Sequence, residues 1–119
     1  MTTEVIIAIA IGGAVGATAR WSMGRFVARH TVWPGWTATL AVNLAGCLLI
    51  GLLVSLHGVP GALLIGGLCG GLTTFSSFAL DLAMLLWMGR SRQAIVAASV
   101  SVIGGGLLMW AGLLMGGRA

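Results

Sequence analysis

The residues with the most chemical content in this chain fall in one stretch, Gly66-Gly67-Leu68-Cys69-Gly70-Gly71-Leu72-Thr73-Thr74-Phe75-Ser76-Ser77-Phe78. Paired glycines followed by four hydroxyl side chains in five positions propagate a helix poorly. Glycine loses more backbone entropy, and Ser and Thr hydroxyls compete for nearby backbone groups. In apolar surroundings such a segment either kinks while staying helical or unwinds. Unwound backbone offers carbonyls and N–H groups to ions, and inside a membrane it is tolerated only where protein buries it or a watery cavity meets it. Asn43 is the second such group, with Thr39 one turn earlier on the same helical face and Gly46 just beyond. An amide in hydrocarbon is costly without a partner, so Asn43 either ties helices together or lines a pore. Ser99 and Ser101 are weaker signals of the same kind.

Catalysis finds little here. His30 and His57 lie in or beside predicted loops, with no second histidine or carboxylate at metal-ligand spacing. Asp81 is the one acid inside an apolar stretch, Glu4 standing at its chain's start, and a single carboxylate makes neither a dyad nor a triad. The glycine cluster lacks the lysine of phosphate-cradling loops. An enzyme is therefore not expected. Cys47 and Cys69 sit in apolar runs with no CxxC pair, which suits small buried packers or, alternatively, a ligand or redox role.

The elements that must position these groups follow from composition. Of 119 residues, 59% are hydrophobic and 7% charged, against roughly 25% charged in a soluble domain. That leaves too little polar surface to cover a globule in water, and it excludes a disordered segment. The six basic residues are all arginines, scattered between apolar runs rather than clustered into a groove, so no nucleic-acid partner is expected. The chain reads as an all-α integral membrane protein whose partner is the lipid bilayer. Residues 1–119 form a single four-helix transmembrane domain, with spans at about 5–23, 37–56, 59–88 and 94–115. The third would be about 45 Å long if straight, too long for a simple span, and its glycine and hydroxyl content predicts a break at mid-membrane. The first run carries Glu4 rather than a basic leader and is expected to be retained. Trp33, Trp36 and Trp87 near run ends suit the headgroup layer.

Gly12 with Gly16, Gly66 with Gly70, Gly67 with Gly71, and Gly112 with Gly116 form GxxxG steps, which let helix backbones approach closely within a chain or between chains. Four helices are too thin a bundle to enclose a pore, so a transport path is expected between subunits. Arg25, Arg29, Arg90 and Arg92, with Arg20 nearby, fall at one end of the spans and Arg118 at the other. The positive-inside rule then favours both termini outside.

Three motifs carry a family resemblance. Gly70-Gly71-Leu72-Thr73-Thr74-Phe75-Ser76-Ser77-Phe78 closely resembles the GGxTTFSTF signature of the Fluc (CrcB-type) fluoride channels. Thr39-Leu40-Ala41-Val42-Asn43-Leu44-Ala45-Gly46 is similar to their TLxVNxxG element, and Gly13, Gly16, Ala17, Arg20 and Trp21 to their GxxGAxxRW element. The resemblance covers all four spans in order. It implies an antiparallel, dual-topology dimer in the bacterial plasma or inner membrane, with two fluoride paths between subunits. It also implies a structural sodium ion at the dimer interface, held by the backbone carbonyls of Gly70 and Thr73. Phe75 and Phe78 would be the pore phenylalanines, whose positive ring edges attract a small anion. Asn43, Ser76 and Ser77 would add N–H and O–H donors, Thr39 and Ser101 would continue the polar track, and Arg20 and Asp81 would stand in the vestibule. Arg20 either draws anions there or anchors a helix end.

The implied activity is passive, fluoride-selective export that protects the cytoplasm from fluoride toxicity. A small proton-coupled multidrug exporter is a rival, but it needs an acid deep in the first helix, where this chain has none beyond Glu4. A non-transporting structural subunit would explain the glycines and not Asn43 together with the hydroxyl cluster. Three departures from the family pattern stand out. Asp81 replaces the usual glutamate, the fourth run has no tyrosine and carries Ala97 and Gly105 at polar-track positions, and the arginine bias is stronger than dual topology expects. Pairing with itself would need insertion both ways; the bias is instead explained if the chain inserts in one orientation and pairs with an oppositely oriented homologue. Reporters fused to the C-terminus of the chain expressed alone should then label one side of the membrane; equal labelling of both sides would contradict single-orientation insertion.

Overall fold

The computed structural model describes residues 1–116, and Arg118 lies outside the described residues. Among the described residues all regular structure is helical. Four stretches are long and apolar enough to cross a membrane: Thr3–His30, Trp36–Leu53, Gly58–Trp87 and Ser91–Met115. We call the first two α1 and α2. The third stretch comprises α3, residues 58–72, and α4, Phe75–Trp87. The fourth is α5, Ser91–Met115.

The ends are set by local chemistry. The hydroxyl of Thr2 accepts the N–H of Val5 at 3.3 Å and caps α1, with Glu4 in the first turn where the helix dipole favours an acid. At the other end Thr31 turns extended. The Trp33-Pro34-Gly35 turn launches α2, the Thr37 N–H donating to the Pro34 carbonyl at 3.1 Å. Gly58 and Gly89 hold φ of +67° and +75°, the left-handed region where a side chain is strained, and each makes a sharp reversal between spans. Helix α1 continues past the apolar run that ends at Met23 and reaches His30. The reason is that hydropathy reports membrane depth whereas helix continuity depends on backbone bonding and packing, and Val27 is buried beyond the apolar run.

Glycine decides which helices touch. Helix α1 packs on α3, and α2 on α5. A Cβ built on Gly12 would lie 2.8 Å from the Leu68 nitrogen and 3.0 Å from the Gly67 Cα. A Cβ on Gly16 would overlap the Leu68 carbonyl, and one on Gly71 would overlap the Gly13 carbonyl. The Gly12/Gly16 and Gly67/Gly71 steps therefore face each other within the chain. Gly51 and Gly112 do the same between α2 and α5, a Cβ on Gly112 falling 2.9 Å from the Leu52 nitrogen. Gly66 and Gly70 are instead exposed. Two segments, Ala62–Cys69 and Val100–Gly104, have widened π-type turns, a form often found beside functional sites.

Gly16→Ala should lower the thermal midpoint in detergent, since overpacking against fixed backbone costs about 1–3 kcal/mol. Gly24→Ala, with nothing within 4 Å of its built Cβ, should leave the midpoint unchanged or raise it, because alanine is the better helix former. Equal melting of the two variants would contradict this packing.

Candidate functional site

Between α3 and α4, Thr73 (φ −83°, ψ 154°) and Thr74 (φ −151°, ψ 125°) are extended. Each polar group freed by leaving the helix is costly in apolar surroundings unless rebonded, and the chain rebonds several of them with side chains. The Thr73 N–H and hydroxyl both donate to the Cys69 carbonyl, at 3.0 and 2.9 Å. The Thr74 hydroxyl accepts the Ser77 N–H at 3.2 Å and so caps α4. From α2, the Asn43 amide donates to the Thr74 carbonyl at 3.0 Å and accepts the Thr74 N–H at 2.8 Å. One side chain thus supplies what a neighbouring strand gives an extended residue. From α1, the Arg20 Nε donates to the Gly71 carbonyl at 3.1 Å, anchoring the end of α3.

Two cavities meet at Thr74. One, about 400 Å³, is lined by Asn43, Cys47, Thr73, Thr74, Phe75, Phe78 and Ser101. The Phe75 and Phe78 rings have centroids 6.0 Å apart and tilt by 50°, within the range of favourable edge-to-face pairing. Phe75 is 78% exposed. The Ser101 hydroxyl, in the widened part of α5, is buried and has no hydrogen-bond partner among the described residues. The other cavity, about 350 Å³, is lined by Arg20, Trp21, Arg25, Thr39, Thr74 and Ser77, among others. Arg20 therefore combines an anchoring bond with a guanidinium beside a cavity, and its other N–H groups remain as donors.

Not every sequence-derived residue joins these two cavities. Asp81 lines a third, of about 280 Å³, with Pro34, Trp36 and Arg90, and its Oδ2 is buried without a partner among the described residues. Arg20 and Asp81, grouped above as one vestibule, thus line different cavities. Ser76 is exposed and its hydroxyl lies 3.2 Å from that of Thr74. The chain brings Thr73 and Gly70 within one turn of the interruption, Gly70 exposed and Thr73 half-buried. Their carbonyls are hard oxygen donors of the kind sodium takes, and one chain offers two of them, so a full shell needs a second contributor. Cys69 is fully buried, whereas Cys47 lines the larger cavity. Sequence reasoning missed Thr74 and Cys47 as cavity residues. The signal for Thr74 was available: a hydroxyl residue three positions before Ser77 at a predicted helix restart is a capping pattern.

Comparison with known proteins takes in the three motifs and extends beyond them on both sides. Residues 7–113 match the family model described as CrcB-like protein, Camphor Resistance (CrcB). A protein of Azotobacter vinelandii named "Fluoride-specific ion channel FluC" is 47% identical over 120 residues, covering 93% of this chain and 95% of that relative. One of Pseudomonas putida with the same name is 48% identical, covering 92% of this chain and 94% of its own length. "Fluoride-specific ion channel FluC 2" of Rhodococcus jostii is 43% identical, covering 90% and 94%.

Asn43→Ala should expose the Thr74 N–H and carbonyl and cost about 1–3 kcal/mol for the unsatisfied pair. Hydrogen exchange at the Thr74 amide should quicken more than at amides in the middle of α2, and unchanged Thr74 protection would show that Asn43 does not hold the interruption.

Proposed function

The chain belongs to the CrcB-like family, and from that premise we propose that it is a passive, fluoride-selective channel that exports fluoride from the cytoplasm and so protects against its toxicity. The observation that carries the reading is the Asn43–Thr74 pair, which fixes the extended segment beside Phe75, Phe78 and the unpartnered hydroxyl of Ser101. Fluoride is small and strongly hydrated, so a path that admits it has to replace its water with closely spaced donors. The remaining Asn43 N–H and the hydroxyls of Ser76, Ser77, Thr39 and Ser101 are such donors, and ring edges of Phe75 and Phe78 supply weak positive potential. Chloride is larger and is rejected by width. Arg20 serves the entrance on the Thr39 side, and Asp81 a separate part of it.

The working unit in this proposal is a dimer of antiparallel subunits, the second being this chain or an oppositely oriented homologue. The exposure of Gly66, Gly70 and Phe75 supports it, since small residues and an aromatic ring are then left for a partner to cover. In that dimer the mid-membrane interruptions of the two subunits meet. The carbonyls of Gly70 and Thr73 from both subunits would hold one sodium ion, whose charge offsets the mutual repulsion of the carbonyl dipoles. Export needs no further energy source. Undissociated HF crosses lipid and releases fluoride inside, and an inside-negative potential drives the anion out with roughly 2.3 kcal/mol per 100 mV, or about fiftyfold in concentration.

Expression in a bacterium lacking its own fluoride exporter should restore growth in fluoride, and the Phe75→Ala/Phe78→Ala double variant, made at equal level in the membrane, should not. Growth restored equally by that double variant would remove the phenylalanines from the path, and no rescue by the parent chain, alone or with an oppositely oriented homologue, would contradict export.

A further inference from the structure

Helix α1 carries a surface that the proposed conduction path touches only at Trp21 and Arg25, which also line the Arg20 cavity. Its 28 residues rise about 42 Å at 1.5 Å each, more than the roughly 30 Å of a hydrocarbon core, so its last turns reach headgroup depth. There the Arg25 guanidinium lies 4.9 Å from the centre of the Trp21 ring, and the Phe26 and His30 rings are 5.0 Å apart. Together with Ser22 and Arg29 these residues line a cup of about 260 Å³. Trp21 is 62% exposed and Phe26 55%. Among the described residues no acidic one lines the cup.

A groove of about 420 Å³ continues from the cup toward the start of α1, sharing Ser22 and lined otherwise by Ala14, Val15, Thr18 and Ala19. The Thr18 hydroxyl donates to the Ala14 carbonyl at 2.7 Å, so its proton is engaged within the helix and the groove presents little polarity. A basic, aromatic cup at headgroup depth, continuous with an apolar groove at hydrocarbon depth, matches an amphiphile with an anionic head. We propose that this face of α1 binds one anionic phospholipid, its phosphate between Arg25 and Arg29 and an acyl chain along the Ala14–Thr18 groove. Guanidinium groups pair with phosphate oxygens in a forked geometry, and basic residues near a membrane surface favour anionic over neutral lipid. Trp21, held against Arg25, keeps that arginine at the cup rather than free in solvent. The inference needs the chain to cross a membrane and is independent of what it conducts.

The protein reconstituted in nanodiscs of equal phosphatidylglycerol and phosphatidylcholine, then released for native mass spectrometry, tests it. The parent chain should retain phosphatidylglycerol in preference to phosphatidylcholine. Arg25→Gln/Arg29→Gln should lower that retention by about tenfold or more, while Arg90→Gln/Arg92→Gln, which removes equal charge at the same end, should not. Ala19→Leu, which fills the groove and leaves both arginines in place, should also lower it, and provides the test if the first double variant does not fold. Equal retention of the two lipids, equal loss in both arginine pairs, or disulfide linkage of Ala14→Cys copies to one another across a covered groove would overturn the proposal.

Discussion

Thr74 is an extended residue inside a bundle with little else to bond it, and the rest of the architecture follows from how its backbone is satisfied. Leaving a helix in apolar surroundings exposes a donor and an acceptor that water cannot reach. Asn43 supplies both partners from α2, at 2.8 and 3.0 Å. Arg20 takes the Gly71 carbonyl from α1, and the Thr74 hydroxyl restarts the helix by accepting from Ser77. Three helices thus converge on a few residues, and they do so at fixed distance because Gly12, Gly16, Gly67 and Gly71 let α1 and α3 meet backbone to backbone. Loss of that close packing would move Arg20 away from the carbonyl it holds. The glycines and the polar ties are parts of one constraint.

Much of this was legible in the residue order. The four apolar runs anticipated four helices long enough to span, and the glycine pairs followed by hydroxyl residues, weak in helix propensity, fall where Thr73 and Thr74 are extended. Asn43 stood out because an amide in hydrocarbon has to find a partner. Its partner was not legible, since nothing in the spacing of α2 says that residue 43 meets residue 74. The same holds for the separation of Arg20 from Asp81, which line different cavities although both lie toward the arginine-rich end. The extension of α1 to His30 was hidden for another reason. Hydropathy falls after Met23, where Gly24, Arg25, Arg29 and His30 follow, and the helix itself continues.

The polar groups along the chain divide according to whether they are already satisfied. Thr18, Thr31, Thr73 and Thr74 have hydroxyls engaged with nearby backbone or capping a helix. The Ser101 hydroxyl and the Asp81 Oδ2 are buried without partners among the described residues. Such atoms are expensive to keep in a folded chain, and in the proposed channel they are the groups left free to meet an ion or a second subunit. Phe75 belongs with them on apolar grounds: a ring 78% exposed beside a cavity has more surface than one chain covers.

The central claim is that this frame passes fluoride and rejects larger halides. The most direct measurement is fluoride and chloride efflux from liposomes containing the purified chain, read with ion-selective electrodes, with an oppositely oriented homologue added if the chain does not assemble with itself. Rapid loss of fluoride while chloride stays inside is the result the account predicts. Retention of both anions in both preparations, or loss of both at similar rates, would contradict it.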